Sequence, residues 1–97
     1  MRLKQQWDAM WSALLAGNLN GALTYFVRES QERYRAIFMD IQPLLPQAFA
    51  SIEGFHLLSV ANGDAEAEAV RTENGTTYSY PILYVQDNKG IWKLKGF

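Results

Sequence analysis

From Leu3 onward, large apolar side chains return every three or four positions: Leu3, Trp7, Met10, Trp11, Leu14 and Leu15. That spacing predicts an amphipathic helix over residues 3–16, stopped where Gly17 offers a left-handed cap. Asn18 is placed to N-cap a second helix, whose apolar face is Leu19, Ala22, Leu23, Phe26 and Val27. Ser30 is placed to cap a third, with Tyr34, Ile37, Phe38 and Ile41 on one side and Glu32, Arg33 and Arg35 in solvent. Pro43 and Pro46 interrupt that pattern, because proline cannot donate a backbone N–H. A short fourth helical piece through Ala48, Phe49 and Ile52 is expected to end near Gly54.

Beyond Gly54 the pattern becomes that of strands. Residues 55–61 and 64–73 flank Asn62-Gly63, and residues 76–87 follow Asn74-Gly75. Asn-Gly between strand-like runs signals a tight hairpin, since both turn residues need positive φ. A fourth strand over 91–97 follows Asn88-Lys89-Gly90. Two-residue turns set Ala61 opposite Asp64 and Glu73 opposite Thr76. Counting outward, one face then carries the rows Val60–Ala65–Tyr84, Leu58–Ala67–Ile82 and His56–Ala69–Tyr80, with Arg71 and Tyr78 just beyond. The small Ala65, Ala67 and Ala69 leave a trough between larger neighbours. A bulged last turn, with Gly90 in the left-handed position, sets Trp92 and Leu94 beside Tyr84 and Ile82. Burying that indole and leucine is worth several kcal/mol at ~25 cal/mol per Å², so this turn is expected over an unbulged one, and Lys93 and Lys95 then point outward. Pro81 is unusual for a central strand and predicts a bulge or bend.

Composition narrows the chemistry. The 97 residues suffice for one domain, over 1–97, and 48% of them are hydrophobic. Nine Lys and Arg against ten Asp and Glu give a net charge of −1 without a block of one sign, which argues against nucleic acid and membrane surfaces as partners. The chain has no Cys and one His, His56, so thiolate chemistry and sites needing two imidazoles are excluded, and no metal or cofactor is expected. No apolar run approaches the roughly 20 residues of a membrane span, and the opening MRLKQQWDAMW does not have the form of a signal peptide.

Helices followed by an antiparallel meander read as α+β. Three stretches carry a further resemblance: Trp11…Leu14-Leu15-Ala16-Gly17-Asn18…Ala22-Leu23-Thr24-Tyr25-Phe26; Glu32-Arg33-Tyr34-Arg35-Ala36-Ile37-Phe38; and Tyr84 through Leu94 to Phe97. Together they resemble small bacterial NTF2-like domains of the cystatin-like fold, over nearly the whole chain. Asn18, where Asp is more typical, and Ala67, where an aromatic is common, depart from that pattern, and Ala67 would enlarge the trough. The resemblance implies helices packed on a curved four-stranded sheet, a pocket between them, and pairing of two copies through the sheet. Similar domains often occur in exported or envelope proteins, frequently as one module of a longer chain. The superfamily also includes isomerases, dehydratases and cyclases, but fold alone does not transfer an activity.

His56 and Tyr80, on one expected row, are the candidate proton-handling pair, with Asp40 at the end of the third helix as an orienter. Glu53 could approach the pocket mouth. Alternation sends Glu66 and Glu68 outward, and Asp8 falls on the wet side of the first helix, so no inward carboxylate pair is expected. The expected pocket lining is Trp11, Tyr34, Phe38, His56, Tyr78 and Tyr80. On the outer face, Phe55, Leu57, Leu83 and Val85 are the expected interface of a homodimer, with Val70 and Ile91 nearby. The function expected is a non-catalytic binding or interaction module, with the outer sheet face used for dimer or partner contact and a small apolar pocket between helices and sheet that could take a small apolar ligand. The rival is a small acid–base enzyme acting on an apolar carbonyl compound.

Overall fold

The predicted stripe of the first helix is buried in the structure: Leu3, Trp7, Met10, Trp11 and Leu14 all lie in the core, while Leu15 faces solvent. The structure, a computed structural model, describes residues 3–97; the first two residues of the expected 1–97 domain lie outside the described residues. Helix α1 (Leu3–Leu15) ends at Gly17, whose φ of +78° lets the Asn18 N–H reach back to the Ala13 carbonyl at 2.8 Å. Asn18 caps α2 (Leu19–Leu23) as expected, its Oδ1 accepting the Gly21 N–H at 2.9 Å.

Helix α2 is shorter than its apolar pattern predicts. Phe26 and Val27 leave it to run beside the last strand, where Leu94 N–H donates to the Tyr25 carbonyl and Val27 N–H to the Leu94 carbonyl, both at 2.8 Å. Pairing this sheet edge outweighs another helical turn, because an open edge leaves backbone groups unpaired. Helix α3 (Arg28–Asp40) therefore starts earlier than expected, with Val27 at its N-cap. Ser30 does not cap it; its Oγ donates to the Lys95 carbonyl at 2.7 Å. A 3₁₀ turn over Gln42–Leu44 leads into α4 (Leu45–Ala50), with Pro46 in its first turn, where a missing N–H costs nothing.

Strands β1 (Gly54–Ala61), β2 (Asp64–Glu73), β3 (Thr76–Gln86) and β4 (Trp92–Gly96) form one antiparallel sheet in sequence order. The architecture is α+β, helices followed by a four-stranded antiparallel sheet. Asn62, Gly63, Asn74 and Gly75 all have positive φ, as tight hairpins require. The β2–β3 register runs as predicted, with Ala65, Ala67 and Ala69 opposite Tyr84, Ile82 and Tyr80. The last turn is the bulged one: Gly90 N–H donates to the Asp87 carbonyl at 3.0 Å, Gly90 has φ +78°, and Leu94 lies opposite Tyr84.

Two bulges depart from the expected sheet. In β1, Leu57 lies opposite Ala67 and Ser59 opposite Glu66, so Leu58 is the extra residue. The expected Leu58–Ala67 and His56–Ala69 pairs are thereby replaced by Leu57–Ala67 and Phe55–Ala69, and His56 turns to the outer face opposite Glu68. The gain is the Phe55 ring, which reaches the core and sits 6.2 Å from Trp7. In β4, Tyr84 lies opposite Leu94 but Leu83 opposite Gly96, making Lys95 the extra residue. This shift turns Phe97 toward the helices, 4.9 Å from Trp7 and 5.2 Å from Tyr34. Pro81 marks no bulge in the β2–β3 ladder, whose pairing is continuous through Glu68. Counting from the tight turn, Pro81 occupies a non-hydrogen-bonded pair, and β4 ends at the level of Leu83, so no neighbour needs its N–H.

The core lies between the helices and the face bearing Ala65, Ala67, Ala69, Ile82, Tyr84 and Leu94. Ala67 is fully buried.

Candidate functional site

A cavity of about 260 Å³ lies where α1, α3 and the α4 end meet the sheet. Helix α1 supplies Trp7 and Trp11, α3 supplies Tyr34, Ile37 and Phe38, and the sheet supplies Ala69, Tyr80 and Ile82. Of the alanine column, Ala69 lines this space, and its short side chain leaves room there. Phe97 closes one side, held by Tyr34, whose hydroxyl donates to the Phe97 carbonyl at 2.9 Å and accepts its N–H at 2.8 Å. A Cβ on Gly96 would come within 3.2 Å of that hydroxyl, so glycine there lets the Tyr34 clasp form.

Polar groups on the lining are few. Arg33 on α3 and Arg71 on β2 both border the cavity, and Ser51 adds a hydroxyl; the lining contains no carboxylate. The Arg71 guanidinium lies 5.1 Å from the Tyr80 ring centroid, a cation–π contact, and its Nη2 meets Glu73 at 2.7 Å. Its Nε is buried without an acceptor, and so is the indole Nε1 of Trp11, a residue only 4% exposed.

Of the expected lining, Trp11, Tyr34, Phe38 and Tyr80 come together here. His56 does not: the Leu58 bulge puts it on the opposite sheet face, exposed, with its Nε2 near Gly54. Tyr78 is displaced outward along the hairpin, 6.5 Å from Tyr80 ring to ring and outside the lining. The expected His56–Tyr80 pair is therefore split by the thickness of the sheet. Asp40 is exposed at the α3 terminus and does not border the cavity. Glu53 instead accepts a hydrogen bond from Thr72 at 3.1 Å. Arg33, Ile37 and Phe97 were not among the expected lining residues. Arg33 reads as a solvated position beside Glu32 and Arg35, and Phe97 reaches the cavity only through the Lys95 bulge.

The expected interface is divided in the same way. Phe55 and Leu57 face the helical side, as the bulge requires, while Leu83 and Val85 stay outward opposite Glu66 and Asp64. A larger, open hollow of about 440 Å³ lies on that outer face, lined mostly by polar and small side chains such as Ser59, Asp64 and Lys95. Leu83 and Val85 also line it, and its charges, Asp64, Glu66 and Lys95, are of mixed sign.

Two ionisable groups away from the cavity are perturbed, both for structural reasons. Burial, and then the nearby Asp8 charge, push the Tyr84 hydroxyl well above the ordinary tyrosine value. The Ile91 and Lys89 backbone N–H groups hold the Asp87 carboxyl below its ordinary value. Among the described residues, no three His, Cys, Asp or Glu side chains gather to hold a metal ion, and no helix is long and apolar enough to cross a membrane. Compared with protein-family models, curated proteins and solved structures, the chain matches none.

Proposed function

We propose that this chain is a non-catalytic binding module of NTF2-like type that takes a small, largely apolar molecule between its helices and sheet. The observation that carries this reading is the 260 Å³ cavity with mainly aromatic and aliphatic walls and a few polar groups, the usual make-up of a small-molecule site. The order of helices then meander supports the NTF2-like part. The acid–base alternative loses its main support, because His56 and Tyr80 occupy opposite sheet faces and no carboxylate borders the cavity.

The test is calorimetric titration with 2-naphthalenemethanol, a neutral bicyclic probe. Saturable binding is expected, and it should be lost in Ile37→Trp, which places an indole at a half-exposed position of the lining. Absence of binding by the unaltered chain, or binding indifferent to Ile37→Trp, would refute the reading.

Pairing of two copies over the outer face is the second part of the proposal, supported by Leu83, Val85 and Val70 on that face. Sedimentation equilibrium should show a dimer that Leu83→Glu dissociates; a monomer at high concentration rejects this part alone.

A further inference from the structure

We infer that the molecule this cavity takes is an anion, a small monocarboxylic acid, whose carboxylate is received by Arg71 and whose apolar body lies against Trp11, Phe38 and Ile82. The inference rests on the ligand-binding reading above and adds the charge and class of the ligand. Two buried N–H groups of lining residues, Trp11 Nε1 and Arg71 Nε, have no acceptor. Buried indole and guanidinium donors ordinarily find partners, so both call for one. Neither side chain can accept a hydrogen bond, so the complementary group is an acceptor.

Charge selects among acceptors. Two guanidinium groups and no carboxylate border the cavity. Arg33, stacked 5.3 Å from the Tyr34 ring centroid, has no ion-pair partner among the described residues. Glu73 occupies only the Nη2 edge of Arg71, and this partly exposed pair is weak and solvent-screened. The remaining edge of the planar fork suits a carboxylate. The volume limits the body to about one small bicyclic or a short aliphatic chain, below the usual range for drug-sized ligands.

Calorimetry with 2-naphthoate beside 2-naphthalenemethanol tests this, because the two share one body and differ in charge. The carboxylate is expected to bind about tenfold more tightly or better, as charge-assisted hydrogen bonds do. Arg71→Met should erase that advantage, bringing the affinities for naphthoate and the alcohol together. Glu73→Gln, on an exposed side chain, should tighten naphthoate alone by removing its competitor, which keeps the test decisive should Arg71→Met fail to fold. Equal affinities in the unaltered chain, an advantage that survives Arg71→Met, or a Glu73→Gln chain with unchanged naphthoate affinity would overturn the anion inference while leaving the binding reading in place. Failure of both probes to bind overturns the reading itself, and this inference with it.

Discussion

Tyr84 ties the sheet to the start of α1, its hydroxyl donating to the Leu3 carbonyl at 3.0 Å inside the core. Because burial and then Asp8 raise its pKa, the folded chain holds this proton more tightly than the unfolded chain, whose tyrosines titrate near 10. The stability contribution is whole below about pH 10 and is lost as pH climbs toward the folded value. Urea unfolding at pH 8 and pH 11 should show that loss, and Tyr84→Phe should lower stability by about 1 kcal/mol at pH 8 while flattening the alkaline decline. Asp87 has the opposite sign. Its Oδ1 accepts the Ile91 and Lys89 N–H groups, each at 2.9 Å, which together with the Lys93 and Lys89 charges lowers its pKa. The turn is therefore firm above the ordinary value of about 3.9 and loosens as pH falls through the lower, folded one. An NMR titration should show the Lys89 and Ile91 amides shifting with a midpoint below 3.9, and Asp87→Ala should abolish that transition. Tyr84 was legible only in part: the inward row predicts its burial, but its partner lies 81 positions away in sequence.

At the scale of elements, what could be read ahead was what is locally encoded. The Asn-Gly pairs demand positive φ whatever surrounds them, and from them the β2–β3 register follows without tertiary information. Neither bulge has such a mark, because long-range packing stabilises each: Phe55 gains Trp7, and Phe97 gains Trp7 and Tyr34. The second helix stops early for the same reason, its last apolar residues being taken by the edge of β4. The β1 shift makes a sharp prediction, since it exchanges which neighbour is buried. Phe55→Ala should cost about 2 kcal/mol, the lower part of the range for truncating an aromatic, as its ring is only partly buried. His56→Ala should cost about 0.5 kcal/mol or less, as at other exposed positions. Urea midpoints at pH 7.5 distinguish the two, and the reverse ranking would restore the unbulged strand with His56 beneath the helices.

Across the whole molecule, the cavity sits where a well-anchored sheet gives way to a free ribbon. β1 pairs with β2 only as far as Val70, and β4 pairs with β3 only as far as Leu83, so beyond those points β2 and β3 have only each other. A lone two-stranded ribbon is marginal in water, and Arg71 and Tyr80 stand at its base. Only part of the site was legible: Trp11, Tyr34, Phe38 and Tyr80 follow from helix faces and the hairpin register, whereas Arg33 and Phe97 border the cavity through helix packing and a bulge that no local pattern records. The layout also predicts a gradient of stability. Amides over Ala65–Ala69 and Ile82–Tyr84 should exchange slowest, being paired within the sheet beneath the helical layer, and protection should fall along the ribbon toward Asn74-Gly75. If an anion seats on Arg71, saturating 2-naphthoate should slow exchange at the ribbon's base, around Val70–Thr72 and Tyr78–Tyr80, by several-fold. The tip should stay unchanged, because ligand free energy reaches only those openings that release the ligand. Hydrogen exchange read by NMR resolves these positions one by one, and slowing confined to the helices would separate the bound molecule from Arg71.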